Sequence, residues 1–279
     1  MRRVLALLLV VLPLCACGGD VTSLDPIAQA AEKTTNVSGA HFVMSAKITA
    51  AGETVEFRGP GEIADHGNKL HMRMTMPGQI LGMKGVDNKD VTFELVGDQR
   101  SAYLRGGPFT ELGRGKWVRL PDTGAGFDIG QNDPSRMLEY LRATGKVEER
   151  GKDTIRGVGT THYEARVQLG KLAARVSPEA ARALREIMQG IGVREIPLEV
   201  WVDGDSLVRR LTMNWHPKGG SYSMEVELFD FGDVQIDIPD ASETTPDRVF
   251  SRPAPAVKAI VTSVGSAVIS GATWTVRLG

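Results

Sequence analysis

The sequence is poor in the residues that staple a fold or carry chemistry. Only two cysteines occur in 279 residues, Cys15 and Cys17, both close to the N-terminus. The body of the chain therefore has no disulfide and must be held by packing and hydrogen bonds. The five histidines, His41, His66, His71, His162 and His216, are scattered. His66 and His71 lie five apart across a turn signal, and no cysteine or carboxylate cluster accompanies them, so the spacing of a zinc site is missing. No serine stands in a Gly-x-Ser-x-Gly elbow, which leaves hydrolase chemistry of that kind unsupported. Gly124-Ala125-Gly126 lacks the strand before it and the helix after it that a dinucleotide fingerprint needs. Asp203-Gly204-Asp205 lacks the length and the closing glutamate of a calcium loop and reads as a hairpin turn. No catalytic residue, metal or cofactor is expected, and the chain does not read as an enzyme. Excess charge is missing too. The formal net charge is −1, and without Arg2 and Arg3 it is −3, from 31 basic against 34 acidic side chains. That balance argues against nucleic acid as a partner and against electrostatic adhesion to anionic lipid. No apolar run reaches the roughly 20 residues of a membrane-spanning helix.

What the chain does have begins at the N-terminus. Arg2 and Arg3 precede the apolar run Val4 to Leu14, and Leu14-Cys15-Ala16-Cys17-Gly18-Gly19 follows. A basic start, a short apolar centre and small residues at a cut site mark residues 1–16 as a secretory signal. Leu14 at −3, Ala16 at −1 and Cys17 at +1 resemble the lipobox of bacterial lipoproteins. That resemblance implies a diacylglyceryl thioether on Cys17, cleavage before it and acylation of the new amine. Cys15 fits less well, since Leu14 would stand where a small residue is wanted. The plainer alternative is an ordinary secretory signal with two incidental cysteines. Two or three acyl chains hold a protein to a membrane durably where one does not. The expected location is thus the extracytoplasmic face of the cell membrane. Residues 17–25 read as a lipidated tether with a reach on the order of 15 Å.

The body, residues 26–240, reads as mainly β. Asp25-Pro26 resembles an N-cap followed by proline at the first helical position, and Ile27, Ala30, Ala31 and Thr34 share one face of the helix it opens. From Ala40 the period becomes two. Phe42, Met44, Ala46 and Ile48 alternate with His41, Val43, Ser45, Lys47 and Thr49. Val55 and Phe57 continue the pattern, and Gly59-Pro60-Gly61 predicts a bulge or bend. Leu70, Met72, Met74 and Met76 alternate with His71, Arg73 and Thr75. Further strands are expected at 89–96, 99–105, 116–120, 145–150, 159–169, 195–202, 207–215 and 221–231. Helices are expected after Asp133-Pro134 and after Ser177-Pro178. The total is roughly eleven strands and three or four short helices, not in βαβ order. Residues 241–279 form a proline-rich linker and an atypical tail. That tail could be an added strand pair, a disordered segment or an altered reading-frame end.

A long antiparallel sheet curls, splits or closes toward a barrel. One apolar face would then line a cup suited to an apolar ligand. Phe42, Met44, Ile48, Phe57, Leu70, Met72, Met74, Met76 and Phe93 share that side in conventional register, and methionine adapts to irregular ligands. Such a stripe also suits a plain filled core, and periodicity does not separate the two.

Three segments carry a wider resemblance. They are Asp133-Pro134-Ser135-Arg136-Met137-Leu138-Glu139-Tyr140-Leu141, the stretch Ile155 to Ala165 with His162-Tyr163, and Ile196-Pro197-Leu198-Glu199-Val200-Trp201-Val202-Asp203. With Leu207-Val208-Arg209-Arg210 and the Cys17 motif, their order resembles extracytoplasmic lipoproteins of the LppX/LprG kind, relatives in fold of the LolA/LolB carriers. The resemblance covers about residues 14–240. It implies a half-open antiparallel β-barrel, lidded by helices, that binds acyl chains of lipids or glycolipids and carries them across the envelope. Expected partners are the membrane through the anchor, a lipid or glycolipid ligand, and a membrane transporter. The alternative within the same cup is a sensor or interaction lipoprotein, similar to RseB/MucB-type regulators, that acts on a membrane partner. Fold alone does not choose between them.

Overall fold

Proline at the head of a helix costs nothing, because the first backbone N–H groups have no partner within the helix. Helix α1, Pro26–Thr35, starts in this way and buries Ile27, Ala30, Ala31 and Thr34, the face expected from the sequence. In the computed structural model, the described residues are 26–50, 53–78, 89–98, 100–107, 109–120, 147–174, 194–216 and 220–245, with Ala181, Arg182, Arg185 and Met188. The signal, Cys17, the tether, the helix expected after Asp133-Pro134 and the chain beyond residue 245 lie outside them. Ala181, Arg182, Arg185 and Met188 are helical, within the helix expected after Ser177-Pro178.

The strands are β1 Gly39–Ala50, β2 Glu53–Ala64, β3 Lys69–Pro77, β4 Asp90–Asp98, β5 Ala102–Gly106, β6 Val118–Arg119, β7 Glu148–Ile155, β8 Val158–Gln168, β9 Glu195–Asp203, β10 Val208–Trp215 and β11 Gly220–Phe229. Short helices α2, Phe109–Gly113, and α3, Leu169–Ala173, lie between β5 and β6 and after β8. All eleven strands make one antiparallel sheet in the order β6-β5-β4-β3-β2-β1-β11-β10-β9-β8-β7. Every neighbour is also a chain neighbour except β1 and β11, which join the two meanders along a register running from His41–Phe229 to Ala50–Gly220. The sheet does not close, since β6 and β7 stand at its two edges. It is a half-open antiparallel barrel with helices. One core cluster runs from Leu70, Phe93 and Leu104 on one side to Val167, Leu198 and Leu211 on the other, with α1 within it.

Two details shape the curvature. The β1–β2 ladder runs unbroken through Val43–Pro60, whereas β2 and β3 pair at Arg58–Thr75 and again at Gly61–Met72. Both strands advance three residues over the gap, so Gly59-Pro60 gives an interruption and not an inserted residue. A Cβ at Gly59 would stand 1.7 Å from the Arg73 carbonyl oxygen, so only glycine permits this approach. Across the barrel, β10 shifts register between Val208 and Arg210. There the buried Thr34 hydroxyl donates to the Ala30 carbonyl at 2.7 Å and accepts the Val208 N–H at 2.9 Å, pinning α1 to the sheet.

After β11 the chain crosses the outer face. Gly232 N–H donates to the Gly39 carbonyl, Lys69 Nζ to the Ile236 carbonyl, and Trp117 N–H to the Glu243 carbonyl. Ile236 packs with Ala64, Val96 and Trp117, and Trp117 forms a parallel bridge with Thr244. This strap continues through residue 245 and fastens the β6 edge.

Candidate functional site

The site is the inner face of the sheet, and register builds it. Met72, Met74 and Met76 stand opposite Leu95, Phe93 and Val91. Across β1, Phe42 faces Gly61 and Leu228, Met44 faces Gly59 and Val226, Ala46 faces Phe57 and Met224, and Ile48 faces Val55 and Tyr222. Strand alternation then puts all these residues on one side. The nine residues expected from the sequence do come together. Phe42, Ile48, Phe57, Leu70, Met72, Met74, Met76 and Phe93 belong to the core cluster, and Met44 packs against it. The opposite wall, from Leu198 and Val200 on β9 through Leu211 and Met213 on β10 to Met224 and Val226 on β11, is equally apolar. It was not among the candidate positions, although its alternation is just as plain.

The two ends of this face differ. Toward α1, Ala40, Phe42, Ile63, Leu70, Val208 and Leu228 are all 4% exposed or less. The Phe42 ring fills the space above Gly61, where a Cβ would come within 2.2 Å of its Cζ. Toward the other end buried side chains such as Phe57, Met213 and Met224 alternate with less covered ones. Met44, Ala46, Val55, Tyr163, Ile196 and Trp215 are only half-buried, and Met188 packs against the same cluster.

The outer face is polar and cross-linked. Glu94 sits between Arg73 at 2.8 Å and Arg105 at 2.7 Å, and Glu227 between Arg210 and Arg156. Partial burial pushes both carboxyls up, but the paired guanidiniums outweigh it and hold each below its ordinary range. Trp201 lies on this side, stacked on His162 at 4.3 Å and donating from Nε1 to Asp153 Oδ2 at 3.1 Å. His162, from the segment that carries the resemblance, thus serves the outer wall. Among the described residues no group of three His, Cys, Asp or Glu side chains could hold a metal ion. No described helix is long and apolar enough to cross a membrane, which says nothing of a membrane β-barrel.

Half-open antiparallel barrels with an apolar inner face are the class this geometry defines. In fold the chain is similar to the lipoprotein LprF from Mycobacterium bovis, with a TM-score of 0.49, 13% identity, and 77% of this chain and 94% of that one covered. It is also similar to the lipoprotein LppX from Mycobacterium tuberculosis, with a TM-score of 0.45, 15% identity, and 76% and 96% covered. These likenesses concern the course of the backbone, and no functional step follows from them. A stretch of 120 residues is 31% identical to an uncharacterised 31.2 kDa protein from the rplA–rplJ intergenic region of Streptomyces griseus. It covers 42% of this chain and 39% of the relative, so the chain spans well under half of that protein's length. No known family profile matches the sequence.

Proposed function

We propose that the chain is a lipoprotein anchored through acyl groups on Cys17 at the extracytoplasmic face of the membrane, and that it holds acyl chains of a lipid or glycolipid against the inner face of its sheet and carries them across the envelope. The observation that supports this reading is the run of half-buried apolar side chains, Met44, Ala46, Val55, Tyr163, Ile196 and Trp215, on a face that is sealed at its α1 end. Apolar side chains left half-covered beside a sealed core keep apolar surface that a bound chain could cover. Moving a sixteen-carbon chain out of water gains on the order of 10 kcal/mol, at ~0.8 per methylene. An apolar wall outside the membrane therefore lowers the barrier to passage across an aqueous gap.

The test is lipid transfer between donor and acceptor vesicles in the presence of the purified chain. A carrier accelerates exchange in proportion to its concentration. A protein that binds a membrane partner without moving lipid leaves exchange at the background rate, and that result would favour the sensor alternative. Cys17→Ala should release the protein from the membrane fraction. Retention without acylation would refute the anchor.

A further inference from the structure

Trp215 and Tyr222 bring polar groups to the less covered end of the inner face. Trp215 on β10 faces Tyr222 on β11, and their rings lie 4.2 Å apart, tilted by 31°. Among the described residues, Trp215 Nε1 is shielded from solvent and has no hydrogen-bond partner. Tyr222 is 3% exposed, and among the described residues its hydroxyl donates to Met224 Sδ at 3.3 Å. A thioether is a weak acceptor, so this hydroxyl gives up little by turning to a better one. The flanking positions are apolar: Ile48 opposite Tyr222, Val55 opposite Ile48, and Met213 two residues before Trp215.

Buried donors without a partner are rare in folded proteins, because nothing replaces the water they gave up. Here the orphan is beside the half-buried apolar side chains, and the ring of Tyr222, which carries a second under-used donor, packs at a tilt against the indole. An indole N–H and a phenol O–H are both neutral. They suit a neutral acceptor and supply no charge to balance a buried carboxylate. Burial also drives the Tyr222 titration upward, which keeps its proton in place as a donor.

We infer that Trp215 Nε1 and the Tyr222 hydroxyl form a binding site for the carbonyl oxygen of an ester-linked acyl chain, which fixes where the tail begins on the apolar face. The site rests on the acyl-binding reading above and narrows its ligand to esters over free fatty acids and plain hydrocarbons.

The test uses the full chain with two probes, methyl palmitate and hexadecyl methyl ether, which share a chain length and differ in the carbonyl. The protein should bind the ester about tenfold more tightly than the ether. Trp215→Phe keeps an aromatic ring on Tyr222 and removes the N–H. Tyr222→Phe removes one hydroxyl and little else. Each should weaken ester binding by roughly three- to tenfold and leave ether binding unchanged. With a carbonyl-labelled ester, the carbonyl stretch should fall on binding and fall less in Trp215→Phe. Equal affinity for the two probes in the unaltered protein, or a parallel loss of both in the variants, overturns the carbonyl site while leaving acyl binding intact. Binding of neither probe overturns both.

Discussion

The two ends of the inner face are built from the same residue types and finished differently. At the α1 end, Phe42, Leu70 and Leu228 are almost fully buried, and the Phe42 ring packs on the bare backbone at Gly61. At the other end, Met44, Ala46 and Trp215 have apolar neighbours along the sheet and less cover above. An apolar face sealed by its own chain stabilises the fold. The part left half-covered adds less to stability and is free to meet something else. The same alternating pattern is thus sealed by the chain in some rows of the sheet and left half-covered in others.

The largest expected effect is at the sealed end. Phe42→Ala should cost about 3–5 kcal/mol of unfolding free energy, whereas Met44→Ala should cost only about 1. Equal losses in denaturant titrations would erase the contrast. Thr34→Val comes next. It keeps the shape but strips the buried Val208 N–H of its acceptor, and should cost about 1–3 kcal/mol. A silent Thr34→Val would mean that α1 is not pinned there.

The smallest effect should come from the outer face, where neither end is favoured. Glu94 has a folded-state pKa below its unfolded one, so its contribution is present above about pH 4.3 and fades as pH falls through the folded value. Both arginine partners are half in water, so this contribution should stay under about 1 kcal/mol. Glu94→Gln should lower stability slightly at neutral pH and flatten the loss between about pH 5 and pH 3. An unchanged pH profile would show that the Arg73–Glu94–Arg105 bridge contributes nothing.

Much of this was legible in the sequence wherever one face of a strand is buried and the other wet. The alternations in β1, β3, β10 and β11 give those strands and their inner faces directly. Strand β7 ran differently from the expectation of 145–150. Glu148–Ile155 has no alternation because it is an edge strand with polar residues on both faces, and it turns at Arg156-Gly157 into β8. The outer strap was missed as well, although Val234, Ile236 and Ile238 alternate, because its partners Val96 and Trp117 lie far back in the chain. The nine candidate positions share a face as the pattern required. Which of them are sealed was not readable, since that depends on Gly61 beneath Phe42 and on α1 above β10. The Trp215–Tyr222 pair was equally hidden, because strand period says nothing about an unpaired donor.

The central claim is that the less covered end of the face holds an acyl lipid. Native mass spectrometry of the chain released gently from membranes tests it most directly. A bound species with the mass of an acyl lipid, extractable into organic solvent, is expected, and it should be lost when Met44 or Ala46 is changed to Trp without loss of folding. A protein that is lipid-free apart from its anchor, or one whose bound lipid is indifferent to both substitutions, would contradict it.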